Sequence, residues 1–111
     1  MNSKIIVVDG VEYERKAQEA STLVLVRTYS AGVHFGTLVS RAGKEVELQD
    51  ARRLWSWTGA CSLSQVAMDG VGADSKISVA VPTITLTEAI EIIPLSQAAA
   101  EQMTAAAPWK K

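Results

Sequence analysis

Between Thr22 and Tyr29 the side chains alternate as they do on a strand, and both faces begin apolar. Leu23, Leu25 and Arg27 fall on one side, Val24, Val26 and Thr28 on the other. A strand that is apolar on both faces has to be covered on both, which places it in the centre of a sheet. Ser30-Ala31-Gly32 supplies a turn into a second strand, Val33 to Arg41, and Ala42-Gly43-Lys44 turns again into Glu45 to Leu48. Within this three-strand meander Gly36 stands in mid-strand, where a glycine marks a bulge or the close approach of another backbone or a ligand.

The flanking segments add elements on the same physical grounds. Lys4 to Arg15 reads as two short strands about the turn dipeptide Asp9-Gly10, with Lys16 to Ser21 as a short helical turn or connector. Arg52 to Trp57 extends the sheet, with Leu54 on one face and Trp55 and Trp57 on the other. Ser62-Leu63-Ser64-Gln65 has the form of a capping box, and Leu63, Val66, Ala67 and Gly70 recur at helical spacing, so a helix is expected from near Leu63 to Asp69. Val71 to Ser75 reads as a loop. Ile77 to Val81 is a short strand that Pro82 ends or confines to an edge. Ile84 to Ile93 is a β-branched run with a bulge or bend at Thr87-Glu88-Ala89, stopped by Pro94. Ser96 caps a last helix from Gln97 to about Ala106, whose small apolar side suits close packing on a neighbour, including another subunit. The expected fold is α+β: a β-rich antiparallel sheet of five to seven strands with one short internal helix and a C-terminal helix, oligomeric. Its organisation is a single domain over 1–111, with a hairpin and connector at 1–20, a β-rich core at 22–93 and a helix at 95–107.

A chain of 111 residues suffices for one hydrophobic core and is short for two. Eleven basic against twelve acidic residues leave a net charge of −1, so any anion site has to be local, and general attraction to nucleic acid or to an anionic membrane is not expected. The lone Cys61 excludes an internal disulfide and fits a reducing compartment. The apolar run Ile5 to Val8 is too short for a signal peptide, and no run nears the roughly 20 residues that span a bilayer. A soluble, cytoplasmic protein is therefore expected.

One histidine, one cysteine and no clustered carboxylates leave few routes to a metal site or a nucleophilic triad, so neither catalysis, metal nor cofactor is expected. His34 and Cys61 lie in no recognised catalytic motif. What remains is Arg52-Arg53-x-Trp55-x-Trp57 followed by Thr58 to Gln65. Arginine grips phosphate through paired hydrogen bonds, a helix start offers free N–H groups, Ser62 and Ser64 add hydroxyls, and an indole stacks on a nucleobase. Together these suit a nucleotide. Arg27 and Tyr29, at the end of a central strand beside a glycine turn, are a second candidate. Taken singly, each residue also has a plain structural role, as core aromatic, helix cap or solvated cation.

The blocks Arg27 to Leu38, Gly43 to Leu48, Ala51 to Gln65 and Leu86 to Ile92 resemble a family of short phage and prophage proteins, over roughly Val24 to Ile93. Through it the chain resembles the first family of Thoeris anti-defence proteins, small β-sheet proteins with C-terminal helices that sequester cyclic ADP-ribose isomers without hydrolysing them. The resemblance implies an oligomeric sponge for a cyclic nucleotide immune signal, acting in the cytoplasm of an infected bacterial host. It implies that Arg52 or Arg53 neutralises the pyrophosphate, that Trp55 or Tyr29 stacks the adenine, and that Ser62, Ser64 and Gln65 bond phosphate or ribose. The chain departs from that family at Asp74-Ser75-Lys76-Ile77-Ser78, where members carry an aromatic and cysteines, which leaves room for a different cyclic nucleotide. Two rival readings are a structural or assembly protein of a phage particle, with Trp55, Trp57 and Trp109 as interface anchors, and a single-stranded nucleic-acid binder, which the net charge disfavours.

Overall fold

A computed structural model describes residues 23–109. The hairpin and connector expected over residues 1–20 lie outside the described residues. Strands β1 (Leu23–Thr28), β2 (Val33–Ala42) and β3 (Glu45–Ser56) form the expected antiparallel meander. β3 is longer than the sequence suggests, because Glu45–Gln49 and Arg52–Leu54 both pair with the single long strand β2. The other edge of β3 takes two further strands, β4 (Lys76–Ile77) at Leu54 and Ser56, and β5 (Val81–Leu86) from Val46 to Ala51. β6 (Ala89–Pro94) pairs with β1 at the opposite side of the meander.

β5 and β6 are separated by only Thr87 and Glu88, yet hold opposite sides of the meander. The ladder of pairings runs from β6 through β1 and β2 to β3, whose far edge carries β4 and β5. The two-residue link from β5 to β6 joins its two ends without pairing them, so the sheet curls, with the bend where the sequence places it. Val24, Val26, Val46, Leu48, Ala51, Leu86 and Ala89 make one buried cluster. The alternate face of the meander contributes Leu25, Phe35 and Leu54, which join Ile77, Val66, Ala67 and Met103 in a second cluster beneath the helices α1 (Leu63–Asp69) and α2 (Gln97–Thr104). The two apolar faces read from Thr22 to Tyr29 thus serve two buried clusters, where the chain length alone suggests one core, because a single sheet covered on both sides divides its apolar residues between its faces.

The small apolar side of α2 packs within the chain: Ala99 and Met103 are wholly buried. Ser96 fixes its start twice over, accepting from Ala99 N as cap and donating from its own hydroxyl to the Met68 carbonyl at 2.7 Å. Gln102 holds both backbone polar groups of Val71 with its side-chain amide, locking α2 against the chain leaving α1. The strand expected at Ile77–Val81 differs: pairing stops at Ile77 and resumes at Val81, so Pro82 lies inside β5 rather than ending a strand. β5 tolerates it because, among the described residues, it pairs on its β3 side alone.

At the centre of the meander the register shifts between Phe35 and Thr37, so that Gly36 on β2 faces two residues of β3, Asp50 and Ala51. A Cβ at Gly36 would stand 2.9 Å from the Gln49 carbonyl oxygen and 3.1 Å from the Ala51 Cα. Both readings of this glycine hold, bulge and close approach. Gly36→Ala is expected to cost about 1–3 kcal/mol, since backbone atoms must move to admit the methyl group; urea unfolding with an unchanged m-value checks it.

Candidate functional site

Arg52 and Arg53 are neighbours on a strand, so they emerge on opposite faces. Arg52 points to the helix side and is only 7% exposed. Its Nε donates to the Ser78 carbonyl at 2.7 Å, and one terminal nitrogen donates to the carbonyls of Met103 and Thr104, each at 3.2 Å. Those carbonyls end α2, where a cation also meets the negative end of the helix dipole. Burial pushes the Arg52 guanidinium below its ordinary range. Arg52 is thus a tie between sheet, β4–β5 connection and α2, and does not share a site with Arg53.

Arg53 is exposed, and its backbone is pinned on both sides by Ser78: N–H to the serine hydroxyl at 2.8 Å, carbonyl from the serine N–H at 3.0 Å. Arg53, Leu54 and Trp55 form one wall of a groove of about 400 Å³ whose other wall is the β1–β2 turn, Ser30 to Val33. Thr28 builds that turn, its hydroxyl donating to the Gly32 carbonyl at 2.7 Å and accepting from Ala31 N at 2.8 Å. Gly32 takes φ of +85°, which suits glycine. His34 is buried behind the turn with Nε2 2.9 Å from the Ala31 carbonyl oxygen. Burial chiefly, and the charge of Arg53 secondarily, lower the His34 pKa against the raising effect of the Ala31 hydrogen bond.

Trp55 is 58% exposed and stacks on Trp109, with ring centroids 6.1 Å apart and planes 16° from parallel. The Trp109 backbone N–H donates to the Ile77 carbonyl at 2.7 Å, and Lys76 Nζ lies 5.1 Å from the centre of the Trp109 ring. The sequence reading leaves Trp109 and Lys76 out of the ligand site, since nothing local connects an aromatic after Pro108 to Trp55. Trp57 does not share the face of Trp55. Beyond the end of β3 it packs against the helix-side cluster and donates Nε1 to the Ala60 carbonyl.

The other expected ligand residues lie apart from the groove. Ser62 caps α1 by accepting from Gln65 N at 3.2 Å, while Gln65 Oε1 accepts from Cys61 N at 3.0 Å and faces Cys61 Sγ at 3.1 Å. The polar groups of Ser62 and Gln65 are therefore engaged locally, and Ser64 is exposed on the same short helix. Arg27 pairs with Glu91 across the β1–β6 ladder at 3.7 Å, in a solvated setting where such pairs contribute little. Tyr29 is 79% exposed and enters the turn that forms the groove wall without lining the groove. Of the eight residues expected to bind a ligand, Arg53 and Trp55 are brought together. Among the described residues no cluster of three His, Cys, Asp or Glu side chains could hold a metal, and no helix is long and apolar enough to cross a membrane.

These features define a small α+β domain, an antiparallel curled sheet carrying two helices on one face and an open cationic-aromatic groove at one end. Residues 21–103 match a domain of unknown function, DUF6948, and with most of the chain covered the protein belongs to that family. No curated protein and no solved structure was found to match it.

The two arginines should separate in a stability measurement. Arg52→Ala strands the α2 and Ser78 carbonyls and is expected to cost about 3 kcal/mol, whereas Arg53→Ala should stay within about 0.5 kcal/mol, both read by chemical denaturation. His34 adds a pH dependence. Its folded pKa lies below the ordinary 6.5, so the unfolded chain binds the proton more readily, and stability present above pH 6.5 falls as the pH drops below it. The unfolding midpoint should decline from pH 7 to 5 in the parent chain and decline less in His34→Gln.

Proposed function

We propose that this protein is a non-catalytic binding module that sequesters a small nucleotide, with a cyclic ADP-ribose isomer or a related cyclic nucleotide as the ligand class, and that it acts as an anti-defence protein of phage type. The observation that carries the reading is the groove itself: an exposed guanidinium at Arg53 and a half-exposed indole at Trp55 on one wall, and the turn Ser30 to Val33 on the other. Arg53 supplies charge for a phosphate and Trp55 a flat face for a base. Arg52 has no part in this site, since its bonds hold α2. The resemblance of Arg27–Leu38 and Ala51–Gln65 to phage proteins supports the biological setting, and those blocks supply both walls of the groove.

Sequestration without turnover agrees with the environment of the two candidate reactive groups. His34 Nε2 is engaged by the Ala31 carbonyl, and Cys61 Sγ lies against Gln65. Neither is the other's partner, so His34 and Cys61 do not form a nucleophile and base pair with each other. A second reading, an assembly protein that self-associates, is favoured by one observation: Tyr29, Trp55 and Trp109 are large aromatics left at 79%, 58% and 40% exposure. Homo-oligomer formation belongs to both readings.

Thermal unfolding with and without cyclic ADP-ribose isomers and cyclic di- and trinucleotides tests the proposal. A ligand held at about 100 times its dissociation constant should add roughly 2.7 kcal/mol, a rise of several degrees for a domain of this size. The ligand recovered by chromatography after heating should be intact. Arg53→Ala and Trp55→Ala should each weaken binding by about 1.5 kcal/mol or more. No shift with any nucleotide removes the nucleotide reading, and an altered ligand makes the protein an enzyme. Loss of self-association in Trp55→Ala, without any nucleotide binding by the parent, would favour the assembly reading.

A further inference from the structure

On the helix side, away from the Arg53 groove, lies a second and larger cavity of about 500 Å³. Its walls include Leu23, Phe35, Val79, Ala80, Ala106 and Pro108, and its two charged lining residues are Arg52 and Asp50. Three separate observations converge on this place. The Arg52 guanidinium is nearly buried, and while Nε and one terminal nitrogen are bonded to carbonyls, the other terminal nitrogen donates to none of the described residues. No carboxylate of the described residues neutralises it, since among them Arg27–Glu91 is the one ion pair. A buried cation faced only by carbonyls still favours an anion.

Asp50 is the second observation. It is the only non-glycine among the described residues with positive φ, at +52°, a conformation that aspartate tolerates but that still marks a backbone held for a reason. Its carboxylate accepts no hydrogen bond from the described residues. The third is the bulge. Gly36 faces both Asp50 and Ala51, and a bulge of this kind re-aims the side chain of the extra residue. Gly36 and Thr37 themselves line the cavity, so the bulge is part of its wall. Asp50 and Arg52 thus place a negative and a positive group, two residues apart on one strand, at one apolar cavity without joining to each other.

We propose that this cavity is a binding site for a small zwitterion with an apolar side chain, of the amino-acid class, its carboxylate on Arg52, its ammonium on Asp50 and its side chain against Phe35, Ala106 and Pro108. A dianionic phosphate fits less well, because Asp50 would repel its second charge. The site is independent of the nucleotide groove, which lies on the other side of β3.

Titration of the full chain with phenylalanine, followed by the backbone amide resonances of Gly36, Thr37, Asp50 and Ala80, tests it. Two truncated probes accompany it, 3-phenylpropionate without the amine and phenethylamine without the carboxylate. Saturable shifts with phenylalanine are expected, with at least about tenfold weaker binding of each truncated probe, the loss of one charge-assisted contact. Asp50→Asn, which keeps the side-chain size and the tolerance of positive φ, should weaken phenylalanine about tenfold without weakening 3-phenylpropionate, whose carboxylate loses a repulsive neighbour. Ala80→Trp, at an exposed position on the cavity wall, should remove binding of all three, with circular dichroism confirming that the variant is folded. Arg53→Ala should leave them unaffected. Failure of phenylalanine to saturate, phenethylamine binding as tightly as phenylalanine, or parental affinity in folded Ala80→Trp would each overturn the proposal.

Discussion

β1 is buried on both faces, and most of the architecture follows from meeting that requirement. Leu25 needs cover on one side, Val24 and Val26 on the other. A sheet that is merely flat leaves one of those faces wet. The chain meets the requirement in two ways, by curling β5 and β6 around the valine face and by laying α1 and α2 over the leucine face. Helix cover is itself conditional on the sheet, because α2 is eight residues long, too short to persist without packing. Arg52, Ser96 and Gln102 are the polar joints that fasten it, and the groups that Arg52 and Gln102 bond are backbone groups at least partly withdrawn from water.

The same alternation that separates the two cores separates the two cavities. Arg52 and Arg53 are adjacent in sequence and identical in chemistry, yet β3 sends one to the apolar interior under α2 and the other to an open groove. A strand has no means of presenting consecutive residues to one ligand, whereas a helix end or a loop does. Each arginine keeps company with a feature of its own face: Asp50 with Arg52 through the bulge opposite Gly36, and Trp55 with Arg53 through the two-residue period of the strand.

Local chemistry was legible in the sequence and long-range chemistry was not. The helix from Leu63 to Asp69 follows from its capping residues and apolar spacing, and the bend at Thr87-Glu88 from a break in a β-branched run; both are where the sequence puts them. The α+β class, the meander and the final helix follow for the same reason. The grouping of Arg52, Arg53, Trp55, Ser62, Ser64 and Gln65 as one site treats closeness in sequence as closeness in space, which a strand followed by a turn and a capped helix does not preserve. Ser62 and Gln65 show the signature of a cap because they are one. Trp109 is the converse case: its partner Trp55 lies far back in the chain, and only the route of the tail after Pro108, fixed by a hydrogen bond to Ile77, brings the rings together.

That pair of rings has an optical consequence. Two indoles at 6.1 Å with nearly parallel planes couple in their excited states, so their transitions split, and the skew of one ring's axis against the other's sets the circular dichroism that the pair adds. The signal exists only while the C-terminal tail is seated beside β4, and it originates at the wall of the Arg53 groove. The molecule therefore carries its own chromophore for the position of its tail, in the place where an incoming aromatic ring would disturb it.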